Sequence, residues 1–442
     1  MTAAEYDFYY ATSKADAARA GRRTAISREA NLRMSEPRMR TLTHPAPLPP
    51  EWAQDLWDVI IGAYLADRLA PRKKADDRWT RHIKLALPVT DVGRWTDECQ
   101  CLLSDLLQTA TGDRWDLEFR QWRRADSIDD TDLYQDDAAI HADEVALFSG
   151  GLDSTAYAAT AACEGVNAVL VSFSQQKLAA AQSAVYSDVT RLSPGSQLRI
   201  VDRLPMEVNP LKGRNRRSLE MSSRSRGLLF IATAVYLAAA YRAPRAVVPE
   251  NGQLAINPPL SPARMASCST RSVHPWVLEQ INRLVRLLGG SVEVVNPFLT
   301  LTKGDVCRLA RDAGLSVESL FETISCGNPP FLHNDHRPPH CGLCVACLLR
   351  RSGLHTALGY DNTRYEFADP KTAPAARLLN LAALERWSAT PYGMRDLLGD
   401  QPLPPESDFM PLLEVLERGR SEISLWLDSL IGDRIAGTAA AA

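Results

Sequence analysis

From Glu144 onward the chain repeats one pattern: a short apolar run, a turn, then a longer stretch with apolar residues on a helical period. Val145–Phe148, Asn167–Phe173, Gln197–Asp202, Ala246–Pro249 and Ser291–Val295 predict strands. Lys177–Leu192, Arg226–Tyr241 and His274–Leu288 predict helices. Apolar strands alternating with helices imply an α/β fold, a mostly parallel sheet with helices on both faces. Ligands of such sheets bind at the carboxyl ends of the strands. Upstream the pattern changes. Ile83–Leu87 and Trp115–Phe119 alternate apolar and polar residues, and Trp95–Leu107 between them reads as a helix. A small, tryptophan-rich α+β domain is expected there. Residues 1–50 are polar, carry scattered arginines and end in His44–Pro50, the mark of a surface extension with some helix. After Arg351 amphipathic helices such as Met410–Ile431 predict a helical cap or oligomer contact. The expected division is an extension (1–50), an N-terminal domain (51–140), a main α/β domain (141–351) and a helical C-terminal region (352–442).

Composition narrows the class. At 442 residues, 45% hydrophobic and 23% charged, the chain reads as a globular protein of two or three domains. A formal net charge of -3 gives no overall attraction to nucleic acid or to a membrane surface. The longest apolar stretch, Gly227–Tyr241, falls short of the roughly 18 residues of a membrane span. Met1–Tyr6 lacks a signal-peptide pattern, and nine cysteines, an odd number, argue against a disulfide scaffold. A cytoplasmic location is expected.

Three stretches carry chemistry. The first is Val145-Ala-Leu-Phe-Ser-Gly-Gly-Leu-Asp-Ser-Thr155, a strand, a tight loop and a helix start. Gly150 and Gly151 let the backbone approach a ligand, and Ser149, Ser154 and Thr155 add hydroxyls. The new helix contributes unpaired N–H groups at its positive end, so the loop is suited to phosphate. It is not a Walker A loop, since no Gly-x4-Gly-Lys-Ser/Thr occurs. The second is Cys326 with Cys341-Gly-Leu-Cys344-Val-Ala-Cys347. Four thiolates at that spacing suit a tetrahedral structural zinc. An iron–sulfur cluster is the rival, and His333, His336 or His340 could replace one sulfur. The third is Thr302-Lys303-Gly-Asp305, a capping box that puts Lys303 in a helical first turn. The dipole disfavours a cation there, so a lysine in that place often serves a bound anion.

Taken together and in order, Ser149-Gly-Gly-Leu-Asp-Ser154, Ser225-Arg226-Gly-Leu-Leu-Phe230, Thr302-Lys303 and the four cysteines with Arg350 resemble the QueC-type 7-cyano-7-deazaguanine synthases. The loop is that of the PP-loop (N-type) ATP pyrophosphatases. The resemblance covers about residues 144–351. Longer chains of this sort are similar to the QueC-like proteins of anti-phage operons, notably the QatC component of Qat systems, with the type IV CBASS protein as a second match. The resemblance implies an ATP-dependent carbon–nitrogen ligase that activates a 7-deazaguanine carboxylate as its adenylate, releases pyrophosphate and passes the acyl group to an amine. It assigns ATP to Ser149, Gly150, Gly151, Asp153, Ser154 and Thr155, and catalysis to Asp153, Ser154, Lys303 and Arg226. Asp153 would act through Mg²⁺, and Cys326, Cys341, Cys344 and Cys347 would hold Zn²⁺. It also implies protein partners from the same defence operon, no membrane, and no need for nucleic acid.

The base pocket departs from the family pattern of Gly-x-Asn…Asp and Tyr-Pro-Asp-Cys. Here the chain reads Pro249-Glu250-Asn251-Gly252-Gln253 and Cys268-Ser-Thr-Arg271-Ser-Val-His274-Pro275. Glu250 and Asn251 are candidates for a guanine-like edge, Glu250 accepting its N–H groups. Arg271 and His274 are candidates for holding an anion, or else form a helix entry. An RNA-modifying PP-loop enzyme and a nucleotide-binding scaffold stay open as alternatives. The N-terminal domain is expected to be a docking surface, so that deleting residues 1–122 would spare nucleotide binding.

Overall fold

The computed structural model describes residues 4–34, 48–122, 141–174, 178–192, 198–200, 204–258, 271–327, 329–332, 334, 336–400 and 402–439. Two parallel sheets organise it. The first is built from β1 (Ala4–Tyr10), β2 (Thr24–Ile26), β3 (Arg81–Val89) and β4 (Arg114–Gln121), in the order β2-β1-β3-β4. Every neighbouring pair in it is parallel. Helix α1 (Glu51–Leu69) lies between β2 and β3 in the chain, and α2 (Asp97–Thr111) between β3 and β4. Thr96 caps α2 by accepting from the Cys99 N–H, and Gly112 ends it in the left-handed region at φ 74°.

This sheet corrects two expectations. Its unit is α/β rather than α+β, because parallel strands need helical crossovers. Alternation along β4 arises because one face meets the helices and the other is largely wet. Residues 4–34 are also no surface extension. β1 pairs with both β2 and β3, and Phe8, Tyr9 and Tyr10 are buried. Residues 35–47 of the expected extension, with most of the His44–Pro50 stretch, lie outside the described residues.

The second sheet holds β5 (Glu144–Leu147), β6 (Ala168–Val171), β7 (Arg199–Ile200), β8 (Arg245–Val247) and β9 (Glu293–Val295), in the order β9-β8-β5-β6-β7. All its pairs are parallel, as its apolar runs predict. Its helices are α3 (Leu152–Glu164), α4 (Ala179–Leu192), α5 (Arg226–Ala240) and α6 (Pro275–Leu287). Helix α7 (Lys303–Asp312), then α8 (Val345–Leu358) and finally α9 (Met410–Ala439) complete that side. The chain runs outward through β5, β6 and β7 and then returns to β8 and β9. The order therefore reverses between β5 and β8, where the loops part at the carboxyl ends.

The two sheets share one core. Trp57, Leu65 and Ile83 of the first unit pack in the same apolar cluster as Val145, Leu229, Val235 and Val294 of the second. The Trp57 ring lies 4.5 Å from that of Tyr236, tilted by 37°, and donates from Nε1 to Thr233 Oγ1 at 3.0 Å. Trp52, Trp57, Trp95 and Trp115 are core residues, whereas Trp79 is 38% exposed. A buried charge cluster strengthens the seam. Arg81 binds Asp67 and Asp113 at 2.6 Å each, and Asp67 accepts from Ser225 N and Oγ at the start of α5.

Candidate active site

The loop after β5 behaves as its sequence predicts. Gly150 takes φ 73°, and a Cβ there would lie 2.8 Å from Gln182 Cγ, so only glycine fits between β5 and α4. Gly151 is the N-cap of α3 and offers no side chain to its N–H groups. Ser149 and Ser154 shape the turn: Ser149 N donates to Ser154 Oγ at 3.2 Å, and Gly151 N donates to Ser149 Oγ at 3.1 Å. Thr155, grouped with them by sequence, is fully buried in the core side of α3. The site's donor set suits an anion: a glycine cradle, an uncapped helix start and a lysine beside it.

Lys303 reaches this loop from 150 residues away. Its Nζ donates to Asp153 Oδ1 at 2.8 Å and Oδ2 at 2.7 Å. Asn251 Nδ2 donates to Asp153 Oδ2 at 3.0 Å and to Glu250 Oε1 at 3.0 Å. Burial pushes the Asp153 pKa up, but the Lys303 charge and hydrogen bonds from Glu250, Lys303 and Asn251 outweigh it and leave Asp153 ionised. Glu250 goes the other way. Burial first and the Asp153 charge second raise it well above the usual carboxylate range, so it stays protonated beside Asp153. In this state Glu250 is a donor to Asp153 rather than an ionised acceptor. Asn296 holds the same loop, accepting from Glu250 N and donating to its carbonyl at 2.8 Å.

The other candidates lie apart from these contacts. Arg226 is exposed at the start of α5, its guanidinium 5.8 Å from the Phe230 ring. Arg271 donates to the Thr109 carbonyl at 3.3 Å, across the seam between the two units. His274 caps α6, its Nδ1 accepting from Trp276 N at 3.3 Å. Burial, aided by Arg271, lowers its pKa to about 4, so the ring is neutral. That is the helix-entry reading of His274. Cys268–Thr270 lie outside the described residues.

Residues that the sequence reading passed over complete the site. The capping box of α7 forms with Thr302 and Asp305 as predicted. Glu422 of α9 adds to it, accepting from Thr302 Oγ1 and, at 3.1 Å, from Gly304 N. Gln253 Oε1 accepts from Lys303 N at 2.9 Å. Gly353 of α8 gives the lysine stem its passage, since a Cβ there would lie 2.5 Å from Lys303 Cγ. A lone glycine inside a helical pattern was the one available signal. The alliance with Glu422, 118 residues beyond Gly304, left none.

Burial raises the Glu422 carboxyl from 4.5 to about 7. A carboxyl raised on folding stabilises the fold fully below its unfolded pKa, and that contribution is lost as pH rises through the folded value. Wild-type melting temperature is therefore expected to fall between pH 5 and 8, and Glu422→Gln is expected to flatten that fall. Parallel pH profiles of the two proteins would argue against a titrating Glu422.

The four cysteines converge: Cys326, Cys341, Cys344 and Cys347 sulfurs all lie within 4.8 Å of one another. Sγ of Cys326 and Cys344 are 4.0 Å apart, and Sγ of Cys341 and Cys347 are 3.9 Å apart. A tetrahedral ion with Zn–S near 2.3 Å would set sulfurs about 3.8 Å apart, so the set fits zinc. Backbone N–H groups of Cys344 and Leu343 point at Cys341 Sγ, at 3.3 and 3.5 Å. Among the described residues no histidine joins the group. His340 is buried nearby, but its Nε2 accepts from Ser325 N.

The cysteine segment also touches the loop. Ile324 N donates to the Gly150 carbonyl at 3.1 Å, and Leu152 N donates to Ser325 Oγ at 3.4 Å. Fully buried Arg350 ties this segment down through Thr323 Oγ1 and the Leu320 carbonyl, both at 2.7 Å. Purified protein is expected to hold about one zinc per chain. Cys344→Ser should lower the melting temperature and slow turnover through the Ile324–Gly150 link. A brown, iron-containing preparation, or full turnover by Cys344→Ser, would contradict these expectations.

Comparison with known proteins gives a partial family match. The family described as Queuosine biosynthesis protein QueC matches residues 273–358, the stretch that carries α6, Lys303, the four cysteines and α8. The chain thus holds a QueC-family segment. Among individual proteins, it is similar to the 7-cyano-7-deazaguanine synthase of Pyrococcus furiosus, 34% identical over 89 residues. That match covers 20% of this chain and 36% of the relative. The Pyrococcus horikoshii synthase is 33% identical over the same length and share. The chain spans about a third of the length of these relatives. The Syntrophobacter fumaroxidans synthase is 27% identical over 237 residues, 50% of this chain and 95% of that protein. No helix among the described residues is long and apolar enough to cross a membrane.

Proposed function

We propose that this chain is an ATP-dependent carbon–nitrogen ligase of the 7-cyano-7-deazaguanine synthase type, acting in anti-phage defence. Its carboxylate substrate would be a 7-deazaguanine, activated by transfer of AMP with release of pyrophosphate and then converted to an amide or nitrile. The observation that carries this reading is the meeting of the Gly150–Gly151 loop, the uncapped start of α3 and the Asp153–Lys303 pair where the sheet order reverses. Fixed donors there would neutralise charge on the leaving pyrophosphate. Ser149, Gly150, Gly151 and Ser154 would cradle phosphate, and Lys303 would turn from Asp153 to the nucleotide. Both Asp153 oxygens are held in the present state, so Mg²⁺ is proposed to arrive with the phosphates. Asn251, beside Asp153, and Arg226, from the start of α5, are proposed as further contributors, and Glu250 would accept from a guanine-like edge once its proton is released. The defence role, and partners encoded in the same operon, rest on the similarity of longer chains of this sort to QueC-like defence proteins. Incubation with ATP and 7-carboxy-7-deazaguanine, followed by mass spectrometry of small molecules and partner proteins, should reveal an amide, a nitrile or a deazaguanine-modified protein. Unchanged substrate alongside an active ATPase would contradict the assigned carboxylate.

A further inference from the structure

We propose that the first sheet carries a second ligand site, which takes a planar, N–H-rich heterocycle of nucleobase or nucleoside size. The strand order β2-β1-β3-β4 reverses between β1 and β3, just as the second sheet reverses between β5 and β8. In open parallel sheets such a reversal leaves a crevice at the carboxyl ends of the strands, where ligands bind. A cavity of about 280 Å³ lies there. All four strands contribute to it at those ends: Tyr10 closes β1, Ser27 follows β2, Pro88 lies near the end of β3 and Trp122 follows β4. Its size sits just under the roughly 300–1,000 Å³ of drug-sized sites, so the occupant is small.

The lining defines the chemistry. Trp57 and Tyr236 join Tyr10 and Trp122, so four aromatic residues line one small space. Tyr10, Trp57 and Tyr236 are buried, whereas Trp122 is partly exposed. Stacking on such rings is worth about 1–3 kcal/mol per base and needs only a flat ligand. Arg28 already lays its planar guanidinium 4.9 Å from the Trp57 ring, a posture that a flat, N–H-rich ligand would share or replace. The charged lining is two carboxylates, Glu29 and Asp58, against the one guanidinium of Arg28. That balance favours N–H donors and disfavours phosphate, which selects a base or nucleoside over a nucleotide. None of these residues belongs to the Asp153–Lys303 site, and the proposal stands independently of the function assigned to it.

The test uses the full-length protein with guanosine as the probe, followed by tryptophan quenching and calorimetry, and GMP as the comparator. Saturable binding of one guanosine per chain is expected, with GMP weaker. Asp58→Asn and Trp122→Leu should each weaken guanosine by about tenfold or more, the loss of one charged acceptor or one stacking face. The double variant Asp153→Asn with Lys303→Met, which leaves neither charge stranded, should keep the guanosine isotherm of wild type. Absence of saturation, an isotherm untouched by Asp58→Asn and Trp122→Leu, or one lost in the folded Asp153→Asn/Lys303→Met protein would each overturn the assignment.

Discussion

Lys303→Ala is expected to abolish ATP-dependent pyrophosphate release and to destabilise the fold as well. The two effects have different causes. Lys303 is 2% exposed and is bonded to both oxygens of Asp153. Removing it leaves an ionised carboxylate buried without its partner, a loss of about 3–5 kcal/mol. Asp153→Ala would strand the ammonium in the same way. The catalytic loss comes on top: one fixed donor aimed at developing charge is worth about 10²–10³ in rate. The double variant Asp153→Asn with Lys303→Met separates the two. It removes both charges together, so melting temperature should recover towards wild type while pyrophosphate release stays absent. Recovery of turnover in the double variant would remove the pair from the chemistry and leave it a structural ion pair.

Deleting residues 1–122 should yield an insoluble or aggregating protein, contrary to the docking-surface expectation. Helix α5 is apolar nearly all round because it is covered on both sides, by the second sheet and by α1. Without α1, Leu229, Tyr236 and their neighbours would form an exposed patch larger than soluble monomers tolerate. Ser225, at the start of α5, would also lose the Asp67 carboxylate that accepts from its N–H and hydroxyl. Solubility and melting of the 123–442 fragment check this directly. A soluble, monomeric fragment with a cooperative melt near that of the full chain would show that the N-terminal unit is an appendage.

The strands of the second sheet were legible because each holds a short apolar run, buried at every position in β6, a pattern that needs no tertiary information. Asp153, Lys303 and the cysteines were legible because their chemistry sits in short local spacings. Their meeting was not, since nothing local joins Asp153 to a lysine 150 residues away. β1 was missed because Tyr6, Phe8 and Tyr10 alternate with Asp7 and Tyr9 in a short run beside an arginine-rich stretch. Its longer partner strand begins only at Arg81. The first sheet was misjudged as α+β because one wet face gives parallel strands the alternation usual for antiparallel ones. Gly353 and Glu422 act through close approach and capping between distant helices, which leave no periodic trace.

The central claim is that this site directs attack to the α-phosphorus of ATP. Incubating the protein with 7-carboxy-7-deazaguanine and ATP labelled at the α-phosphate, then separating the nucleotides, tests it most directly. The account predicts labelled AMP with matching pyrophosphate, dependent on the added carboxylate and absent in the Asp153→Asn/Lys303→Met protein. Labelled ADP with inorganic phosphate, or AMP formed equally well by that variant, would contradict it.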